Sequence, residues 1–202
     1  MSVSETEIFK FFGGRILEEK KKLEELEKHL CKTQLDKEIK QIDGLWYEEV
    51  KKHKSEKSKL KLIIVGEAPI SYEKYFYNYQ GTFLNSLKEF WKLKTNRDLP
   101  NKMIENRVLL LDIYKYPLPP EFYKKDKKNI LFSEDYILNK IDYLTKLELI
   151  GDETFSVFRY KQLFKFEHIL GLNFLKDDDK LVSLNESEIP QKLNTNVETF
   201  LV

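Results

Sequence analysis

Leu60-Lys61-Leu62-Ile63-Ile64-Val65-Gly66, running directly into Glu67-Ala68-Pro69, is the stretch on which the fold turns. A continuous apolar run closed by glycine, with no polar alternation, is what a strand buried on both faces of a parallel sheet requires. Downstream, Arg107 to Tyr114 (RVLLLDIY) reads as a second such strand, Leu147 to Gly151 (LELIG) as a third and Lys180 to Leu184 (KLVSL) as a weaker fourth. Helical stretches separate them: Thr82 to Lys94, Ser133 to Leu144, and roughly Thr154 to Leu170, with Ser133 and Glu134 as the cap and first turn of the second. Alternation of this kind predicts an α/β fold, a three-layer α/β/α sandwich around a four-stranded, mainly parallel sheet.

Upstream, residues 4 to 43 read as one long amphipathic helix. Ile16, Leu23, Leu26, Leu30, Leu35, Ile39 and Ile42 recur among Lys and Glu after a break at Gly13 and Gly14, and Gly44 is expected to end it. This extra N-terminal helix is expected to lie across the core as an appendage over residues 1–50, with the α/β domain over 51–202. A protein-partner role for the helix is the alternative. From Lys51 to Lys61 there are six lysines against one acid, Glu56. Because they lead into the amino end of a strand, whereas α/β ligands gather at the carboxyl end, the expectation is a solvated connector.

Composition narrows the function classes. The 202 residues are 41% apolar and 34% charged, enough for one core, and no apolar run approaches the roughly 20 residues of a spanning helix. The single cysteine, Cys31, excludes an internal disulfide and a cysteine-ligated zinc or iron–sulfur site within one chain. The N-terminus opens on acidic and polar residues, so no secretory leader is expected and the expected compartment is the cytosol. With 35 basic against 34 acidic residues, any polyanion must be met by a local patch rather than by net charge.

The loop after the first strand is unusual for a connector. Gly66 permits close backbone approach and Pro69 stiffens the turn just after a carboxylate. Tyr72, Tyr75, Phe76, Tyr77 and Tyr79 place five aromatics within eight residues. Flat rings beside a cleft suit stacking on a base or sugar, and a lid over the sheet edge is the alternative. Neither the dinucleotide glycine spacing nor a P-loop ending is present.

At these residues the sequence resembles the uracil-DNA glycosylase superfamily. Gly66-Glu67-Ala68-Pro69 matches the motif that follows the first strand there, and Phe76 stands seven residues before Phe83, the helix-opening Phe, where a base-stacking ring is found. Asp112-Ile113-Tyr114-Lys115-Tyr116-Pro117 keeps the outline of the second-strand motif, with Asp112 where the family has a base-reading Asn, and Leu149-Ile150-Gly151 resembles the strand before the next helix. The likeness covers roughly Leu60 to Phe166. It implies base flipping, hydrolysis of the N-glycosidic bond by water that Glu67 orients, base binding by Gly66, Ala68, Pro69, Phe76 and Asp112, DNA as partner, and no metal or organic cofactor.

Departures from the family pattern are specific. Ala68 occupies the position of the Asp or Asn that some branches use on water, leaving Glu67, with Glu73 as a spare. No His-Pro-Ser type motif follows the fourth run, where Asn185-Glu186-Ser187-Glu188-Ile189-Pro190 stands, and His29, His53 and His168 read as bystanders. Loss of that donor predicts modest activity. An ionised Asp112 accepts hydrogen bonds only, unlike Asn. It is therefore either protonated in a buried pocket, or reads a base presenting donors, or is structural. Lys115, Lys124 and Lys125, with Lys127 and Lys128, interleave with aromatics and read either as a rim gripping the nucleic-acid backbone or as a solvated loop. Two rivals to the hydrolase stand beside it: a noncatalytic descendant binding nucleic acid or protein, and an enzyme acting on a free nucleoside or nucleotide.

Overall fold

The computed structural model describes residues 32–67, 77, 82–114, 134–184, 197, 200 and 201. The chain divides into two compact units, Met1–Glu38 and Ile39–Val202. Of the first only the opening turns of a helix are described, and the second is the unit considered below. The division falls inside α1 (Lys32–Ser55), as does residue 50, where the appendage was expected to end.

Four strands, β1 (Leu62–Gly66), β2 (Val108–Asp112), β3 (Phe155–Phe158) and β4 (Asn173–Phe174), form one parallel sheet in the order β2-β1-β3-β4. Every residue of β1 and β2 is buried, which is why these two strands carry the longest apolar runs. Parallel neighbours need crossovers. Here α2 (Thr82–Phe90) and α3 (Leu99–Glu105) lie between β1 and β2, and α4 (Glu134–Lys146) lies between β2 and β3. The α/β class and the four-stranded parallel sheet are thus as expected. The pairing runs Leu62↔Val108 to Gly66↔Asp112 on one side of β1 and Leu62↔Phe155 to Val65↔Phe158 on the other.

Three strand and helix expectations are corrected. Leu147–Gly151 is not a strand but the turn that closes α4: Leu147, Glu148 and Leu149 donate back to the carbonyls of Tyr143, Thr145 and Leu144, with Glu148 at φ 58°. Its apolar character reflects Leu149, buried as the plug of that turn. The third element of the family likeness, Leu149-Ile150-Gly151, is therefore not on a strand. The stretch read as a helix from Thr154 instead begins with β3 and continues as a 3₁₀ turn (Lys161–Phe166) and the four-residue α5 (Glu167–Leu170). The fourth strand starts at Asn173, not Lys180. A hairpin of β5 (Lys176–Asp177) and β6 (Lys180–Leu181), turned through Asp178 and Asp179 at φ 46° and 61°, interrupts it. Ser183 then resumes parallel pairing with Phe158.

Gly44 does not end the N-terminal helix, which continues to Ser55. The residue is exposed, and a Cβ added there would meet nothing within 4 Å, so only its propensity penalty of about 1 kcal/mol applies. Burial of Ile39, Ile42, Trp46 and Val50 on the opposite face outweighs it. The first half of the lysine run is consequently helical: Lys51 and Lys52 pair with Glu48 and Glu49, and Lys54 Nζ donates to Leu147 O at 2.6 Å.

That buried face covers the outer edge of β2, which as the sheet's last strand would present unpaired backbone groups. Trp46 Nε1 donates to Leu110 O at 3.1 Å, and His53 hydrogen-bonds the backbone of Val108. Tyr77 completes the cover, its hydroxyl donating to Leu110 O and accepting from Leu110 N–H, both at 2.8 Å. Replacing Tyr77 by Phe leaves that buried N–H without this acceptor. It is expected to lower stability by about 1–3 kcal/mol in urea unfolding, and a change within experimental error would show the edge to be satisfied otherwise.

Candidate functional site

Three parallel strands end together, and the residue at or just past each end is charged. Asp112 closes β2 in register with Gly66, Glu67 follows β1, and Arg159 follows β3. Backbone hydrogen bonds tie these ends to one another: Ile113 N to Gly66 O (3.2 Å), Tyr114 N to Glu67 O (2.8 Å) and Arg159 N to Val65 O (2.9 Å). The carboxyl edge of a parallel sheet is where α/β folds bind ligands, because the strands there fan into loops.

Each charged group is held differently. Glu67 is 9% exposed and its Oε1 accepts from Gln162 Nε2 at 3.1 Å. Gln162 is itself exposed, so the cluster borders solvent on that side. Arg159 donates through Nη2 to Tyr160 Oη at 2.8 Å and lies 4.2 Å from the Phe83 ring centre and 4.9 Å from that of Tyr160. The Tyr114 hydroxyl, beside Glu67, is pushed above its usual range by burial and by that carboxylate, and its ring meets Phe166 edge-on at 6.1 Å.

Asp112 differs from all of these. It is 2% exposed, and neither carboxyl oxygen has a hydrogen-bond partner among the described residues. Burial pushes its carboxyl up to about 7; Arg159 and Lys140 pull it down, while Glu67 adds to the rise.

Lys140 belongs to a second layer behind this edge. Its ammonium, 2% exposed, is 3.0 Å from Asp43 Oδ1 without good hydrogen-bond alignment, and sits 4.7 Å and 4.4 Å over the Trp46 and Tyr136 rings. Tyr136 donates to the same Asp43 oxygen at 2.7 Å. Burial lowers the Lys140 pKa, and Asp43 opposes the fall.

Of the residues expected from sequence, Gly66, Glu67 and Asp112 are brought together. Ala68, Pro69, Glu73, Phe76, Lys115, Lys124 and Lys125 lie outside the described residues, as does His29. His53 is buried under β2 and His168 is exposed on α5. Arg159, Gln162 and Lys140 were not anticipated. Arg159 and Gln162 were hidden in a stretch read as helix. Lys140 had a signal, since it falls between Ile137 and Leu144 on the buried stripe of α4. A cavity of about 610 Å³, lined by Phe155, Leu172, Phe174 and Phe200 among others, opens at the amino ends of β3 and β4 and includes none of the charged cluster. Among the described residues no helix is long and apolar enough to cross a membrane.

Two buried groups make opposite contributions to stability across acid pH. Burial pushes the His53 imidazole down to about 4 against an ordinary 6.5, opposed by its hydrogen bond to Val108. The unfolded chain therefore binds more protons there between those values, and stability rises with pH through that window. Asp112, at about 7 against an ordinary 3.8, binds more protons when folded, so stability falls with pH from about 4 to 7. The slopes, each at most about 1.4 kcal/mol per pH unit, oppose one another in the wild type. In Asp112→Asn the His53 slope should stand alone. Urea midpoints at pH 4.5 and 6.5 should rise more steeply than in wild type, and parallel profiles would refute the assignment.

A scan against family models finds no match, and comparison with curated proteins and with solved structures likewise finds nothing similar to this chain. What defines the protein is its own geometry: an open parallel α/β sheet with two acids and an arginine at the carboxyl edge.

Proposed function

We propose that this chain is an N-glycosidic-bond hydrolase of the uracil-DNA glycosylase type, acting on a deaminated or otherwise damaged base turned out of DNA. The observation that carries the reading is the meeting of Glu67 and Asp112 at adjacent strand ends, on the two segments whose sequences resemble that superfamily. In this reading Glu67, steadied by Gln162, orients a water and takes its proton as the water oxygen bonds to C1′. The C1′–N bond breaks and its electron pair leaves with the base, whose negative charge Arg159 offsets where the family's histidine is missing. Asp112 reads the base, Phe76 is the stacking ring that the resemblance implies, and Gly66, Ala68 and Pro69 are the other base-binding residues of this reading. Lys115, Lys124 and Lys125 grip the phosphates. A three-layer α/β/α arrangement with an added N-terminal helix, a cytoplasmic location and DNA as partner belong to the same proposal, with no cofactor required.

A noncatalytic binding role is favoured by one specific observation, the low exposure of both acids. An incision assay over oligonucleotides carrying uracil, hypoxanthine and other lesions separates the two. Base release that depends on Glu67 and falls in Phe76→Ala supports the hydrolase. Binding without release supports the rival, and absence of binding at low salt removes nucleic acid as the partner.

A further inference from the structure

We infer that Asp112 selects a base whose Watson–Crick edge carries two neighbouring N–H donors, as guanine and its derivatives do, rather than the single N–H flanked by carbonyls of uracil. The inference rests on the proposed function only in that the carboxyl edge of the sheet accepts a nucleobase.

Its starting point is an imbalance. The backbone carbonyls around the acid, those of Val65, Gly66 and Glu67, all accept a hydrogen bond, yet both oxygens of Asp112 are buried and accept none from the described residues. Buried polar atoms are rarely left so, because the lost hydration is not replaced. Charged and titratable groups face the acid from each described neighbouring element: Glu67 beyond β1, Arg159 beyond β3, and Lys140 and Tyr136 on α4, with Asp43 of α1 behind them. Both cations already have other contacts, Arg159 with Tyr160 and the Phe83 ring, Lys140 with Asp43 and two rings. They supply positive field without occupying the carboxyl oxygens.

A carboxylate in that position accepts and cannot donate. Its two oxygens match a pair of parallel N–H bonds, the geometry that makes guanidinium–carboxylate pairs bidentate. Guanine offers such a pair in N1–H and the 2-amino group; hypoxanthine lacks the amino group, and uracil turns carbonyl oxygens toward the acid. Burial is the largest effect holding the proton on Asp112, so two incoming donors relieve it and leave the pull of the cations. Binding a donor pair therefore expels the proton and tightens as pH rises toward 8, whereas a uracil-type edge needs the protonated acid and weakens over the same range.

Isothermal titration of the full chain with deoxyguanosine, deoxyinosine and deoxyuridine, at pH 6 and pH 8, tests this. Deoxyguanosine should bind at least about tenfold more tightly than the other two at pH 8. Its affinity should rise up to about tenfold from pH 6 to pH 8. Asp112→Asn should abolish both the preference and the pH dependence. Tighter binding of deoxyuridine, a preference that survives Asp112→Asn, or failure of deoxyguanosine to bind overturns the inference. The outcome is separable from that of the hydrolase. Glu67-dependent release of uracil with no deoxyguanosine preference sinks the donor-pair selection alone, and a clear deoxyguanosine preference without excision of any lesion sinks the hydrolysis alone.

Discussion

Glu67→Gln should slow base release by about 10²–10⁴-fold, the range a positioned general base contributes, while leaving the fold as stable as wild type. The expectation follows from what the substitution changes. Gln has the shape of Glu, and its amide oxygen can still accept from Gln162, so the contact at 3.1 Å survives. Lost are the negative charge and the capacity to take a proton from water. Gln162→Ala makes the converse change, keeping the carboxylate and removing this one contact to it, and should give a smaller loss. Single-turnover release from a lesion-bearing oligonucleotide, with thermal melts run alongside, reads both. Release by Glu67→Gln within a few-fold of wild type would remove Glu67 from the chemistry. A melt lowered by several degrees would mean that Glu67 is chiefly structural.

The position of Glu67, though not its contact with Gln162, was legible in the sequence because the decisive signals were local. The apolar run of β1 and its glycine locate Glu67 at a carboxyl strand end, and the run of β2 does the same for Asp112. Legibility failed where an apolar pattern had two causes. Leu147–Gly151 is apolar because Leu149 plugs a turn, and the true third strand is only four residues long. Its Phe155 and Phe158, followed by Leu163, Phe166 and Leu170, fall at spacings close to those of a buried helix face, so periodicity alone assigns the segment to the wrong class. With β3 misplaced, Arg159 and Gln162 could not be assigned to the strand ends. Gly44 misled for a different reason: a glycine on the exposed face of a helix is tolerated when the opposite face is anchored by a residue as large as Trp46.

The same anchoring explains the second large effect. Lys140→Ala is expected to destabilise the protein by about 3 kcal/mol, the lower end of what removing one partner of a buried ion pair costs, because the Asp43 left behind is part-exposed. For a chain of this size that is a melting temperature lower by roughly 10 °C. Lys140 lies in the wall between α1 and α4, where its charge answers Asp43 and its ammonium rests on Trp46 and Tyr136. Without it, Asp43, whose side chain is part-exposed, keeps its hydrogen bond from Tyr136 but loses its counter-ion, and the loss of a cation near Asp112 raises that carboxyl further. The two consequences can be separated. Asp43→Asn with Lys140→Met removes both charges and refills the volume, so most of the stability should return, since no charge is left uncompensated and the amide oxygen at position 43 can still accept from Tyr136. Asp112 should nevertheless hold its proton to higher pH in the double variant than in wild type, because the Lys140 field is still gone. Recovery of stability together with an upward-shifted Asp112 titration, followed by carboxyl-carbon NMR, is the expected pair of results. A double variant as unstable as Lys140→Ala would show that the ammonium, through its contacts with Asp43, Trp46 and Tyr136, holds α1 and α4 together, since methionine restores the stem.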